Sequence, residues 1–315
     1  MPAFYTHYQF TKDVYKNLDK QIASKIDYEY LLLFAQSFDI LFYDFKLIRK
    51  KHSLTDLGHK AHQKDTQKFL INTIKNINRN NKEENSFLIG SIAHYILDSN
   101  FHPYIFYKTG TYKKNNAKYQ KYNGLHTKLE LLIDQHFYYT HHKTRFHKQK
   151  FHNIYNKILT RNNSNLKNVI NKIYNQTYNI ENVGSTYFKC LKKWKFVTKV
   201  IKEDQFGLKL HIYNLIDKVF KKHRYIKYYS FFYTDTITTY LNNEHNEWYN
   251  PANKKLKYNY SVDEIYNNSL NLCVKLIQII YSKNKQSNFN KLLPNISYHS
   301  GLDLRNKPKI KYFEF

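Results

Sequence analysis

The sequence predicts an all-α protein, a multi-helix bundle with further helices in its carboxyl half. Only 7 of the 315 residues are glycine and 5 are proline, which is too few for a turn-rich β architecture. Apolar residues recur at helical spacing in many segments, as in the stripe of Phe69, Leu70 and Ile74. With 42% hydrophobic residues, including 31 Tyr and 22 Phe, the chain can bury a large core.

The amino-terminal half predicts five helices separated by polar loops. They cover residues 11–26, 28–43 and 63–78, the segment that contains GSIAHYILDSNFHPYI (90–105), and a stretch from Leu125 onward. The second helix is apolar nearly all round, which indicates deep burial, so its Asp39 needs a partner. Pro103 disfavours helix in the residue before it, so the fourth helix is expected to end near His102.

The carboxyl half continues the helical pattern. Helices are predicted near 150–159, 164–176, 184–202, 208–221, 226–241 and 261–282, and the last thirty residues look irregular. Polar residues thicken around 160–164, which suggests a boundary between a catalytic domain (1–160) and a helical carboxyl-terminal region of unknown role (161–315). Twelve of the 16 histidines precede residue 153, so the chemistry is expected in the amino-terminal half.

The formal net charge of +27 has two interpretations. Lysine supplies 45 of the 51 basic residues and arginine only 6, and Asn, Ile and Tyr are also heavily used, as in proteins of AT-rich genomes. The charge is therefore taken first as a solvated lysine surface, because arginine forks that bind phosphate are scarce. A polyanion-binding face is the alternative, and either surface attracts anionic lipid or nucleic acid at low salt.

Neither a signal peptide nor a transmembrane helix is expected from the sequence. The amino terminus MPAFYTHYQF lacks a basic region followed by an apolar stretch, and no run of about 18 uncharged apolar residues follows. Cys190 and Cys273 share no metal spacing and are expected to be buried thiols in a reducing compartment. A cytoplasmic location is predicted, with leaderless export left open.

A set of regularly spaced histidines and acidic residues indicates a metal site. His94, Asp98 and His102 are four residues apart in an apolar segment, and His126 and Glu130 repeat that spacing. Residues four apart share one helix face, so His94 and Asp98 can reach one ion. Imidazole nitrogen with carboxylate oxygen suits zinc. His102, at the predicted helix end, is better placed to join His126 and Glu130, which indicates a cluster of two or three zinc ions.

Other polar residues leave alternatives open. His7 alone would be a packing histidine, and Asp39 alone a carboxylate paired with a backbone group or a lysine. Either His59 or His62 can serve as a ligand beside them. Five further histidines lie on an exposed-looking segment and are assigned to solvent: His136, His141, His142, His147 and His152.

Five segments together resemble one family. MPAFYTHYQF, FDILFY, LGHKAH, GSIAHYILDSNFHPYI and GLHTKLELLID, in this order over roughly residues 1–140, resemble the zinc-dependent phospholipase C family of bacteria. The resemblance implies an all-α fold and a trinuclear zinc centre, shared with secreted phospholipases C and fungal single-strand nucleases. The implied ligands are Asp39, His62, His94 and Asp98 for one zinc, His102, His126 and Glu130 for a second, and His7 with a bridging Asp98 for a third.

Two departures from the family pattern concern the zinc ligands. Only six residues precede His7, whereas in the secreted enzymes the processed amino terminus itself ligates the third zinc. The segment SFDILFY also lacks the Gly-Pro that precedes the family's aspartate, the position of Asp39. The expectation is therefore two or three zinc ions, with His62 favoured over His59 because its spacing from Gly58 fits the family.

The predicted function is a zinc-dependent phosphodiester hydrolase of phospholipase C type, in which metal-activated water attacks a phospholipid phosphodiester. Asp39 is the candidate for orienting or deprotonating that water. The alternatives are a single-strand nuclease of the same fold and a non-catalytic zinc-containing protein that binds lipid or nucleic acid. The expected partners are a phospholipid or other phosphodiester, an anionic membrane touched peripherally and, less favoured, nucleic acid. Five aromatic residues form either a headgroup wall or core: Phe4, Tyr5, Phe42, Tyr43 and Tyr95.

Overall fold

A long central helix organises the molecule, as described by a computed structural model. The structure describes residues 4–44, 54–113, 115–148, 150–200, 206–219 and 240–314, with the single positions 204, 227 and 230. The described helices are α1 (Phe4–Asn17), α2 (Lys20–Ala23), α3 (Tyr28–Phe34), α4 (Leu54–Ala61), α5 (Thr66–Asn76), α6 (Lys82–Thr109), α7 (Leu125–His142), α8 (His152–Leu159), α9 (Ser164–Tyr178), α10 (Val183–Val200), α11 (Leu208–Val219) and α12 (Val262–Ser282).

The remaining regular elements are short. Single-turn to two-turn 3-10 helices occupy Ser37–Tyr43, Ala117–Tyr122, Phe146–Lys148 and Leu304–Asn306. Strands β1 (Trp248–Asn250) and β2 (Asn253–Tyr258) form an antiparallel hairpin that the helical pattern did not predict. The all-α prediction is confirmed, since this hairpin is the only sheet among the described residues. None of the described helices is both long and apolar enough to cross a membrane.

The first predicted helices are divided differently from the expectation. The chain forms α1 from Phe4 and then the short α2, where one helix over 11–26 was expected. The predicted helix 28–43 is wrong as a single element, because α3 ends at Phe34 and a 3-10 helix follows. Ser37 at the junction has a φ of 36°, and its carbonyl accepts a hydrogen bond from the hydroxyl of Tyr187. This break turns Asp39 out of the direction that a continuous helix would give it.

Helix α6 continues through Pro103, so the prediction that it ends near His102 is wrong. Asn81 caps its start by accepting hydrogen bonds from the next turn, and Gly110, with a φ of 65°, follows its last residue. Pro103 has no N–H for the carbonyl of Ser99. Gly301 lies against that carbonyl, so closely that an added Cβ would stand 2.6 Å from the oxygen. Packing on every side keeps the helix continuous despite the missing hydrogen bond.

Eight elements of the described chain pack directly on α6. They are helices α1, α3, α5, α7, α9 and α12, strand β1 and the 3-10 helix Ser37–Tyr43. Helix α3 approaches most closely at Gly90, where a Cβ would stand 2.7 Å from the Cβ of Phe34. Helices α9 and α10 pack together and cover α5 and the 3-10 helix Ser37–Tyr43. The side chains of α6 are therefore almost entirely buried, including its two histidines and Asp98.

The carboxyl half follows the predicted helices where it is described. Helices α8 to α12 correspond to five of the six predicted patterns, and the sixth, 226–241, lies almost entirely outside the described residues. Helix α4 was not predicted, and most of the polar stretch before it also lies outside the described residues. Residues 283–314 are irregular apart from one 3-10 turn, as expected. Cys190 and Cys273 are buried free thiols, and the division of the chain near residue 160 stays a prediction.

Candidate metal centre

All eight predicted ligand residues converge around α6. His7 comes from α1, Asp39 from the 3-10 helix Ser37–Tyr43, and His62 directly follows α4. Helix α6 contributes three residues and α7 contributes two. Their possible ligand atoms form three groups, each lying within 4.8 Å: His7 with His94 and Asp98, Asp39 with His62 and His94, and His102 with His126 and Glu130.

Asp98 lies between two of these groups. Its Oδ1 is 3.1 Å from His7 Nε2, whereas its Oδ2 is 3.2 Å from His94 Nε2 and 3.5 Å from His62 Nε2. The two carboxylate oxygens therefore face different histidines, as a bridging ligand requires. Burial alone would raise the pKa of Asp98, but the imidazoles of His94 and His102 hold it well below its usual value.

Asp39 and His62 belong to the second group, together with His94. Asp39 Oδ1 lies 3.1 Å from His62 Nε2, yet neither oxygen of Asp39 makes a hydrogen bond with a described residue. Burial by itself lowers the pKa of His62, but the carboxylates of Asp39 and Asp98 outweigh it and raise that pKa to about 10. Burial lowers the pKa of His94 to about 4. The group thus pairs one cationic histidine with one neutral histidine when metal is absent.

The third group lies at the other end of the α6 ligand row. Glu130 Oε1 is 2.8 Å from His126 Nε2 and 3.3 Å from His102 Nε2. Burial would raise the pKa of Glu130, but His126 and His102 lower it to about 2. The side chain of His126 is 23% exposed, whereas Glu130 is buried. His102 therefore joins His126 and Glu130, the grouping that its position in the sequence favoured.

Backbone carbonyls orient three of the histidines. The Nδ1 atom lies 2.7 Å from Gly58 O in His62, 3.2 Å from Ala35 O in His94 and 3.2 Å from Tyr298 O in His102. A carbonyl only accepts hydrogen bonds, so each Nδ1 carries a proton and each Nε2 faces the carboxylates. Second partners of this kind fix the ring and tautomer of zinc-bound histidines.

The donor set fits zinc. Seven of the twelve buried side-chain polar atoms that lack a hydrogen bond among the described residues belong to this centre. Such atoms are costly unless something satisfies them, and a cation held by carboxylates and imidazole Nε2 atoms does so. Nitrogen and oxygen ligands in groups of three are what catalytic zinc takes in proteins. The seven atoms without a hydrogen bond to a described residue are His7 Nε2, Asp39 Oδ1 and Oδ2, His94 Nε2, Asp98 Oδ2, His126 Nδ1 and Glu130 Oε2.

Asp134 supports His7 from the third turn of α7, and it was not predicted. Its Oδ2 accepts a hydrogen bond from Tyr5 N at 2.8 Å, and its Oδ1 accepts from Thr6 N and Oγ1 at 2.7 and 2.6 Å. These bonds cap the first turn of α1 next to His7. Burial raises the pKa of Asp134 to about 7. The signal in the sequence was the continued four-residue spacing from Glu130.

His299 is a second residue that the sequence did not reveal. Its ring centroid lies 6.1 Å from that of His62 and 5.8 Å from that of His102, and its side chain is half-buried. Burial and the neighbouring histidines, His102 first, hold the pKa of His299 well below its usual value. Phe106 packs on its ring at 5.0 Å. No motif in the sequence marks this histidine, because only the folded chain brings it to the centre.

Burial decides whether the five predicted aromatic residues belong to the core or line the centre. Phe4, Tyr5, Tyr43 and Tyr95 are core residues, whereas Phe42 is half-buried and stacks on His62 at 5.7 Å. Phe106 is also half-buried and packs on His126 at 4.6 Å, so both rings lie beside the centre.

Several histidines lie outside the three ligand groups. His59 is exposed, so the structure places His62, and not His59, beside Asp39. His141 and His142 are exposed as expected. His136 is instead half-buried and pairs with Asp263 at 3.0 Å, and the side chains of His147 and His152 lie outside the described residues.

A family model described as zinc dependent phospholipase C matches residues 6–184. The match covers more than half of the chain, so the protein belongs to this hydrolase family. It includes all eight predicted ligand residues and reaches beyond the 1–140 region that the motifs indicated. His299 lies outside the matched region. Comparisons with curated proteins and with solved structures give no match.

Proposed function

We propose that the protein is a zinc-dependent phosphodiester hydrolase of phospholipase C type that cleaves a phospholipid. The observation that carries the proposal is the convergence of three ligand groups around Asp98, with buried donor atoms that no described residue satisfies. Membership of a phospholipase C family supports the reaction class.

The arrangement suggests which residues would hold each ion. Asp39, His62, His94 and Asp98 Oδ2 suit the first, and His102, His126 and Glu130 suit the second. His7 and Asp98 Oδ1, next to His94, suit a third, so two or three ions are proposed. Bound zinc supplies Lewis-acid chemistry, lowering the pKa of water and neutralising phosphodiester charge.

Asp39 is the proposed proton acceptor. Both of its oxygens are buried and free of hydrogen bonds with described residues, so one of them remains available to water if the other holds a metal. A carboxylate whose pKa is lowered, against the effect of burial, by His94 and His62 stays ionised at neutral pH. Phe42 and Phe106 are half-buried beside His62 and His126 and would supply an apolar rim for the substrate.

Zinc content and hydrolysis, measured on the same preparations, test the proposal. The purified protein is analysed for zinc by mass spectrometry and assayed on phosphatidylcholine micelles and on single-stranded oligonucleotides. His94→Ala is expected to lose zinc and activity together. Asp39→Asn is expected to lose activity by at least about a hundredfold, the scale of a general base. His136→Ala, outside the centre, is the control. A zinc-free active wild-type protein refutes the proposal.

A single-strand nuclease is the second candidate because the net charge is +27. A basic surface attracts nucleic acid through its phosphates without regard to sequence. The two substrates in the same assay separate the candidates. Cleavage of the oligonucleotide with no release of diacylglycerol would favour the nuclease.

Helix α11 supports peripheral contact with an anionic membrane. Leu208, Ile212, Leu215 and Val219 are 66%, 45%, 49% and 75% exposed and fall on one face of the helix. Exposed Lys218 lies beside this apolar stripe. An apolar stripe with basic residues at its edge is typical of helices that lie in a membrane interface. We therefore propose that the α11 stripe binds the surface of anionic phospholipid bilayers.

Vesicle sedimentation tests the α11 stripe without reference to activity. The double variant Ile212→Ser with Leu215→Ser is expected to bind phosphatidylserine vesicles roughly tenfold or more weakly, because each change removes about 1 kcal/mol of apolar burial. The matched control changes two exposed leucines elsewhere, Leu256→Ser with Leu272→Ser. An equal loss of vesicle binding in both double variants would show that the α11 stripe does not contact the bilayer.

A further inference from the structure

Residues 294–301, here called the C-terminal strap, form one wall of the metal centre. Tyr95 donates a hydrogen bond to Pro294 O at 2.8 Å, and Thr66 Oγ1 donates to Ile296 O at 2.8 Å. At the far end, Asn250 Nδ2 donates to Ser300 O at 2.8 Å. The strap is thus fixed at both ends to elements distant in sequence, and its backbone has a defined course past α6.

The middle of the strap is joined to ligands of two different groups. Tyr298 N donates to the carbonyl of His62 at 2.9 Å, and Tyr298 O accepts from His102 Nδ1 at 3.2 Å. The ring of Tyr298 packs on His62 and His94 at 5.3 and 5.9 Å. One residue of the strap therefore touches the histidines on either side of Asp98.

The next residue, His299, stands where these two groups meet. Its ring lies about equally far from His62 and His102, at 6.1 and 5.8 Å between centroids. No ligand atom of His299 belongs to the three groups, so it lies outside the coordination sets formed by the described residues. It is half-buried, whereas His62 and His102 are buried, so its imidazole lies nearer to solvent.

The imidazole of His299 makes no hydrogen bond with any residue in the described part of the chain, although its backbone N–H is bonded to Ser297 Oγ at 3.2 Å. Phe106 holds one side of the ring, with centroids 5.0 Å apart. A ring packed in place, partly open to solvent and without a hydrogen-bond partner, is ready to donate an N–H to a ligand.

We propose that His299 contacts the phosphoryl group of the substrate and donates a hydrogen bond to one of its oxygens. The inference rests on the proposed function, because a phosphodiester held by both ligand groups must lie between His62 and His102, where His299 stands. A hydrogen bond to a charged oxygen is stronger than one between neutral groups. His299 thereby selects phosphate esters and adds a specificity residue from outside the family match.

Three variants test the contact. His299→Ala removes the donor, His299→Gln keeps an N–H of similar reach, and His136→Ala is the control histidine. Each zinc-loaded protein is analysed for zinc content and for thermal stability. Each is then titrated with inorganic phosphate by calorimetry, and its kcat/KM is measured on phosphatidylcholine micelles.

The expected result is a tenfold to roughly hundredfold loss of phosphate affinity and of kcat/KM in His299→Ala, at unchanged zinc content. His299→Gln should recover part of both. Unchanged phosphate affinity in His299→Ala overturns the proposal, and so does a loss of zinc, which would make His299 a ligand. If the wild-type protein cleaves no phospholipid, the proposed function fails, while the phosphate titration still decides the role of His299.

Discussion

Gly301→Ala tests whether the C-terminal strap orients the metal ligands. Gly301 has a φ of 65°, a conformation that costs an alanine about 1–2 kcal/mol. Its new Cβ would stand 2.6 Å from Ser99 O, a backbone atom of α6 that cannot move aside. Overpacking of this kind costs a further 1–3 kcal/mol or so. The substitution should therefore lower the free energy of unfolding by about 2–5 kcal/mol.

Gly301→Ala should also weaken zinc binding. A strap pushed away from α6 weakens the hydrogen bond that His102 Nδ1 donates to Tyr298 O, now 3.2 Å long. Loss of such a second partner typically costs a metal site about tenfold to a hundredfold in affinity. Zinc affinity is measured by competition with a chromophoric chelator, and stability by urea denaturation.

Gly207→Ala is the matched control for Gly301→Ala. Gly207, just before α11, has a φ of 72°, so its alanine variant carries a similar backbone strain of about 1–2 kcal/mol away from the strap. Its zinc affinity should be unchanged. If Gly301→Ala were no less stable than Gly207→Ala, or kept wild-type zinc affinity, the strap would have no part in orienting His102.

Three further predictions concern the centre itself. Since the pKa of His62 is about 10 without metal, zinc must displace its proton in order to bind. The apparent zinc affinity should therefore rise about tenfold per pH unit between pH 7 and 9. A flat pH profile in metal-buffered titrations would contradict this. The protonated His62 also stabilises the metal-free protein, fully below pH 6.5 and less as the pH rises towards 10, so its melting temperature should fall over that range. Asp134→Asn should lower the free energy of unfolding by about 1–3 kcal/mol, because at least one donor at the start of α1 loses its acceptor. Urea denaturation measures this change, and a variant as stable as wild type would show that Asp134 does not cap α1.

Local spacing was enough to predict which side chains of α6 and α7 come together. The four-residue repeats in α6 and α7 place carboxylate and imidazole on one helix face whatever else the chain does, so His94, Asp98, His126 and Glu130 followed from the sequence. The apolar surroundings of Asp39 likewise indicated burial, and the structure confirms it.

Long-range contacts explain what the sequence could not predict. Helix α6 passes through Pro103, and the chain packs on its Ser99 carbonyl at Gly301, about two hundred residues away. The break at Ser37 depends on a hydroxyl from Tyr187. His299 reaches the centre through the backbone hydrogen bond between Tyr298 and His62. None of these pairings leaves a periodic trace in the sequence.

Because the carbonyl of Tyr298 orients His102, assembly of the centre depends on the order in which the chain is synthesised. All eight predicted ligand residues precede position 131, yet Tyr298, whose carbonyl accepts the His102 hydrogen bond, is made 168 residues after Glu130. A nascent chain that has released helices α1 to α7 carries every predicted ligand, but its His102 still lacks the carbonyl that accepts the Nδ1 hydrogen bond. We therefore expect tight metal binding by His102, His126 and Glu130 only after the strap has been translated and has docked on α6.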